Sequence, residues 1–238
     1  MTARVGMAEA AGTGSAVLVE GLRGALDSGD GLLAARAIRR VRGLTDPAVT
    51  VLLTIAMRHE DSYVRKTAVE VAKPLDARNV VDAKIGCLSD EEANVRESAV
   101  LSLEGHQGRE VRAALLGALA DPFWTVRKGA VEALGTDESG EVTAALRAAL
   151  YEDEDGEVRR SALSVLWGRF GVEERVESAR RCLKDRDSSV RLEAVRLIEN
   201  VGQAAAAALL EPLLHDASAV VRNTAARALM RGAGEARS

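Results

Sequence analysis

Residues 185–198 read DRDSSVRLEAVRLI. In this stretch Val190 is followed four residues later by Ala194 and eight later by Ile198, the spacing of one helix face, and is preceded five residues earlier by Asp185. The frame recurs. Val-Arg stands at Val64-Arg65, Val95-Arg96, Val126-Arg127, Val158-Arg159, Val190-Arg191 and Val221-Arg222, at intervals of 31, 31, 32, 32 and 31 residues. Four residues after each valine comes an alanine (Ala68, Ala99, Ala130, Ala162, Ala194, Ala225), and eight after it an apolar residue (Ala72, Leu103, Leu134, Leu166, Ile198, Leu229). Five before it stands Asp90, Asp121, Asp153, Asp185 or Asp216, with His59 in that place in the first copy.

Upstream of each turn lies an apolar run of helical period, such as VTVLLTIAM at 49–57 and VRAALLGAL at 111–119. Each copy is therefore helix, tight turn, helix. Two short helices cannot bury their apolar stripes alone, so neighbouring copies must stack and share a core. A degenerate unit precedes the six: Leu33, Ala37 and Val41 take the valine, alanine and leucine places, with Ala34 replacing the arginine. The expected organisation is a disordered start at 1–14, one solenoid at 15–232 (degenerate unit at about 15–45, six units at about 46–232) and a flexible tail at 233–238.

DPFWTVRKGAVEAL, DRDSSVRLEAVRLI and DEDGEVRRSALSVL resemble the bacterial HEAT-like repeat of the phycobilisome-lyase type, in which an acid-rich turn precedes Val-Arg, a small residue and a leucine. The resemblance spans about residues 46–232. It implies an all-α fold, a right-handed αα superhelix of about seven helical hairpins. It also implies that Asp90, Asp121, Asp153, Asp185 and Asp216, with Arg65, Arg96, Arg127, Arg159, Arg191 and Arg222, form a structural ladder between adjacent repeats rather than an active site.

Composition narrows the function. A net charge of −4 disfavours a dedicated nucleic-acid binder, which carries a basic excess to neutralise phosphates. No apolar stretch reaches the roughly 20 residues that span a bilayer, and a cytoplasmic location is expected. Cys87 and Cys182 both lie eight residues before their valine, on a core column, and are expected to be inert buried thiols. His59, His106 and His215 fall in different repeats without the close pairing of a metal site. His59-Glu60 is similar to the His-Glu pairs of deoxyhypusine hydroxylase, but that family carries several such pairs and this chain one. No cofactor, metal or catalytic constellation is expected, and the chain reads as a non-enzyme.

Candidate binding residues are those the repeat does not require. Positions two, six and nine after each valine face away from the core and would line a trough. Trp167 stands out there, followed by Arg169 and Phe170, with Leu101 and Leu192 in neighbouring units. In the turn before Val126, Phe123 and Trp124 stand where the other copies carry acids and small residues; Asp121 reads as the cap of the following helix and Pro122 as its first residue. The aromatic pair either packs over a neighbouring turn or forms an exposed patch. Trp167 either anchors a partner or folds over the end of its own repeat.

Arg36, Arg39, Lys66, Lys128 and Arg160 would add steering charge, with a basic excess at the N-terminal end. The expected function is a protein-binding scaffold or adaptor. Nucleic-acid binding of the DNA-glycosylase kind, or a lyase-like or chaperone-like subunit handling a bilin or other large ligand, stays open as an alternative.

Overall fold

The computed structural model describes residues 2–44, 46–198 and 203–235, with side chains described for 14–44, 46–198 and 206–231. The expectations of a disordered start and a flexible tail fall mostly outside the described side chains. Among the described residues the chain is helical throughout: α1 Thr2–Asp27, α2 Gly31–Arg40, α3 Pro47–Ala56, α4 Ser62–Val71, α5 Arg78–Cys87, α6 Ala93–Leu103, α7 Arg109–Ala118, α8 Trp124–Ala133, α9 Gly140–Glu152, α10 Gly156–Trp167, α11 Val172–Cys182, α12 Ser188–Ile198, α13 Gln203–Leu210 and α14 Ala219–Glu235. Short 3₁₀ turns follow α8 and α13. The contacts divide the chain into two compact units, Met1–Ala118 and Leu119–Ser238.

In the first unit the second helices α2, α4 and α6 lie side by side, and α1, α3 and α5 back onto them. In the second unit α8, α10, α12 and α14 form the same row, backed by α9, α11 and α13. The repeat register explains both rows. The valine and the residues four, five and eight after it are 0–1% exposed in the five copies beginning at Val64, Val95, Val126, Val158 and Val190. Alanine at the fourth position lets adjacent helices approach closely, and it is 0% exposed in all six copies.

The turns are tied by arginine. Arg127 Nε and Nη2 donate to the two carboxylate oxygens of Asp153 at 2.8 and 2.9 Å, while its Nη1 donates to the carbonyls of Asp121 and Pro122 in its own turn. Arg65 with Asp90, Arg159 with Asp185 and Arg191 with Asp216 repeat this geometry. Each aspartate also accepts a backbone N–H two residues on, as Asp185 does from Asp187. A guanidinium satisfied on every face can sit at 4–7% exposure, as Arg65, Arg127 and Arg159 do. The hydrogen bond from Arg191 holds the Asp216 carboxyl below its ordinary range; burial works to raise Asp185, but Arg159 prevails and lowers it.

Two departures from the repeat, far apart in sequence, are halves of one rung. An arginine pairs with the aspartate of the following repeat, so the partner of position 34 is position 59, and these hold Ala34 and His59. His59 preserves the local half of what the aspartate does elsewhere. Its Nδ1 accepts the Asp61 N–H at 3.0 Å, and its carbonyl accepts from Arg65. The rung lacks both its guanidinium and its carboxylate, so neither is orphaned.

The ladder predicts a non-additive mutant cycle. Asp185→Ala strands a buried guanidinium and should lower the unfolding free energy by about 3 kcal/mol. Arg159→Met with Asp185→Leu should cost less than Asp185→Ala alone, and urea unfolding of the three proteins checks the order.

Candidate functional site

Helix α8 begins differently from α4, α10 and α12; like α6, whose N-cap Glu92 makes no side-chain bond, it has no capping side chain. The carboxylates of Asp61, Asp155 and Asp187 accept the N–H two residues on, Tyr63, Glu157 and Ser189, each at 2.8 Å. Phe123 occupies that capping place in α8, with β-region backbone and no side-chain cap, and Trp124 is the first helical residue. The expected assignment of Asp121 as cap and Pro122 as first helical residue is thus two residues early. Asp121 instead closes the preceding turn by accepting the Phe123 N–H at 2.8 Å. Losing an aspartate cap costs about 1 kcal/mol. In exchange the turn displays Phe123 at 53% and Trp124 at 42% exposure. In the neighbouring repeat Tyr151 is hydrogen-bonded to Ser178 and covered by Arg181.

Trp167 corrects the trough reading. It is only 7% exposed, and Phe170 3%, with the Arg147 guanidinium over the Phe170 ring at 5.3 Å. Arg169 Nη2 donates to the carbonyls of Leu134 and Gly135, and Arg175 Nε to that of Trp167. The group closes the C-terminal ends of two second helices, the local cap that the sequence left open. The trough position nine after the valine is solvent-facing only while the helix continues. At α10 the chain turns back over Trp167.

The remaining candidates are divided between the two units. Arg36, Arg39, Lys66 and Leu101 belong to the first unit; Phe123, Trp124, Lys128, Arg160 and Leu192 belong to the second. Leu101 is exposed and Leu192 half-buried. The cations are largely paired within reach of their own helices: Lys66 with Glu70 at 2.8 Å, Lys128 with Glu132 at 2.9 Å and Arg160 with Glu157 at 2.7 Å. Arg39 lies over the Tyr63 ring and donates to its hydroxyl. Arg36 stays exposed.

Both cysteines are buried, and burial pushes Cys87 up to about 11 and Cys182 to about 12, far from the thiolate range of a reactive site. Among the described residues no group of three potential metal ligands occurs. No described helix is long and apolar enough to cross a membrane.

One residue escaped the sequence reading. Lys84 is 0% exposed on a first-helix column otherwise filled by Leu53, Leu115, Leu146, Ala179 and Leu210. Its Nζ donates to the carbonyls of Lys73, Leu75 and Ser102 at 3.1, 2.8 and 3.3 Å, with His106 Nε2 at 3.3 Å. The first two carbonyls lie in the turn after α4 and the third in the last turn of α6, so the lysine ties the C-terminal ends of two hairpins together. A lone cation in an apolar column was the available signal. Beside it lies an open groove of about 590 Å³ lined by His106 and by charged residues such as Lys73 with Glu104 and Arg78 with Asp82, paired at 3.3 and 3.0 Å.

The family model for HEAT repeats matches residues 81–167 and 143–230, together more than half of the sequence. The chain belongs to the HEAT-repeat family. Among solved structures it is similar to YibA of Escherichia coli, at 16% identity and TM-score 0.57 over 88% of this chain and 91% of that one. It is also similar to the complex of CpcE and CpcF of phycocyanin lyase from Nostoc sp. PCC7120, at 19% identity and TM-score 0.53 over 90% and 94%. The condensin Cnd3–Cnd2 subcomplex of S. pombe aligns at 20% identity and TM-score 0.59 over 86% of this chain and 31% of that one. At such identities the likeness shows the HEAT fold alone. No curated protein matches in sequence.

Two stability measurements follow. Phe123→Asp should restore a cap and raise stability by about 1 kcal/mol. For Lys84, burial lowers the folded value from 10.5 to about 8, so the unfolded chain binds more protons between those limits and stability is gained as pH rises. Relative to Lys84→Met, the wild type should therefore gain about 3 kcal/mol between pH 7 and 10.5. The thiols pull the opposite way in both proteins and cancel in the difference.

Proposed function

We propose that the chain is a cytoplasmic, non-enzymatic scaffold or adaptor that binds another protein through the turn edge of its second unit, with Phe123 and Trp124 as the apolar anchors. The observation carrying this reading is the replacement of a capping aspartate by an exposed phenylalanine next to an exposed tryptophan. The repeat gives no reason for it, since sister turns gain stability from Asp61, Asp155 and Asp187 at the same place. Aromatic side chains supply large contact area at low conformational cost and are the usual anchors of protein interfaces. Carboxylates follow on the next turn, where the Glu154 side chain is 82% exposed. A segment pairing apolar residues with basic ones suits that edge.

Leu101 and Arg36 on the first unit are secondary contacts in this reading. Nucleic-acid binding draws less support, because Lys66, Lys128 and Arg160 are neutralised by nearby carboxylates and offer phosphates little unpaired charge. The reading is tested by affinity purification from the source cells with the wild type and with Phe123→Asp, Trp124→Ser. A protein recovered specifically with the wild type should be depleted at least tenfold with the double variant, whose melting temperature stays equal or higher. Equal recovery by both proteins would remove the aromatic pair from the interface.

A further inference from the structure

Helix α3 breaks the pattern of the first unit's outer layer. It reads PAVTVLLTIA, in which threonine is the only polar type, although a helix with one side in water keeps that side polar. Val49, Leu52, Leu53 and Ala56 are buried, as the repeat requires. Val51 and Ile55, one turn apart, are 52% and 54% exposed. They stand 13 and 9 residues before Val64, and the same two places hold Glu20 and Gly24 on α1, Asp82 and Gly86 on α5, and Ala113 and Gly117 on α7. Those residues are exposed as well, so the two columns face outward along the unit, and within it α3 alone fills both with branched aliphatic side chains. The patch is lateral to the stack: α3 has α1 on one side, α5 on the other and α4 behind it.

Ile55 is a ridge between two hollows. On one side a groove of about 460 Å³ is lined by Leu26, Val51, Leu52 and Ile55 together with Arg23 and Asp27. On the other a groove of about 580 Å³ runs past Ile55 and Thr54, with Asp27 and Arg58 both on its wall. Gly24 and Gly86 hold the column of Ile55 on the two neighbouring helices, and a Cβ on either would meet nothing within 4 Å. Glycine weakens a helix interior, and packing within the chain requires neither of these. Asp27 and Arg58 share a groove wall, yet among the described residues neither side chain has an ion-pair or hydrogen-bond partner.

We infer that the outer face of α1 and α3 is the interface of a symmetric dimer, in which Ile55 of each copy seats over Gly24 of the other and Arg58 of each meets Asp27 of the other. A two-fold interface is one patch that must complement itself. This patch carries both halves of two complements, a knob with a hollow and a base with an acid. The halves are also in register: Gly24 and Ile55 are 31 residues apart, as are Asp27 and Arg58, which is the repeat interval and sets each pair at one level on adjacent helices. A two-fold axis running along the groove between α1 and α3 lays α1 of one copy over α3 of the other and makes all four contacts at once. Ridge then enters groove on both sides of the axis. A partner of unrelated sequence would call for only one half of each complement.

The test is sedimentation equilibrium of the full chain from micromolar to submillimolar concentration, where a monomer–dimer equilibrium is expected. Ile55→Asp should weaken the dimer at least tenfold with the helical circular dichroism unchanged. Gly24→Leu should do the same, since it adds a side chain where the chain itself has open space and fills the hollow that Ile55 needs. Asp27→Arg and Arg58→Asp should each weaken the dimer several-fold, because each places like charges together twice, and the two changes combined should restore it. A wild type that stays monomeric throughout, a dimer indifferent to Ile55→Asp or to Gly24→Leu, or a double charge variant no tighter than the single ones would each overturn the proposal. Phe123→Asp, Trp124→Ser should leave the dimer intact, so this surface and the aromatic edge succeed or fail separately.

Discussion

A buried guanidinium has five N–H groups to satisfy, and the stacking of this protein is organised around meeting that demand. Two carbonyls of the arginine's own turn accept from Nη1, and one carboxylate of the following turn accepts from Nε and Nη2. The local carbonyls alone would leave half of the fork dry, so each turn is complete only when the next repeat is in place. Hydrophobic contact between helices is nearly indifferent to small slips. The bidentate pair is not, because both oxygens must arrive together. The aliphatic columns therefore supply the bulk of the stabilisation, and the rungs supply the register. Gly156 shows how tight that register is: a Cβ there would lie 2.7 Å from the Cβ of Asp187, the cap of the following turn.

Against this regularity the turn at Phe123 is a local violation in the direction of lower stability. Its Asp121 still closes the turn, and Arg127 still holds both the turn and Asp153, so the rung is intact while the cap is gone. The loss is confined to the capping position and leaves the rung's own hydrogen bonds in place. Such a site can change without disturbing the stack, which is where a binding residue can be added at least structural cost.

Much of the fold was legible because the repeat converts sequence distance into structural role. Columns at zero, four, five and eight residues from the valine are core by periodicity alone, and the pairing of Asp with Arg followed from the family resemblance. What periodicity cannot report is where the chain goes after a helix ends. Trp167 occupies an outward column, yet the turn that follows it, with Arg169 and Arg175 reaching back to helix-end carbonyls, encloses it. Asp-Pro likewise has the look of a helix start, but the aspartate two residues before each cap serves the turn. The turns at 153–155 and 185–187 hold two acids with separate roles, one closing the turn and one capping the helix, and at α8, where the second is a phenylalanine, the turn-closing role stands by itself. Lys84 was readable as a charged intruder in an apolar column. Its role was not, since the three carbonyls it binds come from the turn after α4 and the last turn of α6.

The first rung clarifies how such a ladder can be edited. Removing one member of a buried ion pair leaves the other desolvated without compensation, so a single change at position 34 or 59 would be costly, whereas both changes together leave no orphan. Ala34 is fully buried and His59 retains the turn-closing acceptor, so the missing rung is a completed substitution rather than a defect.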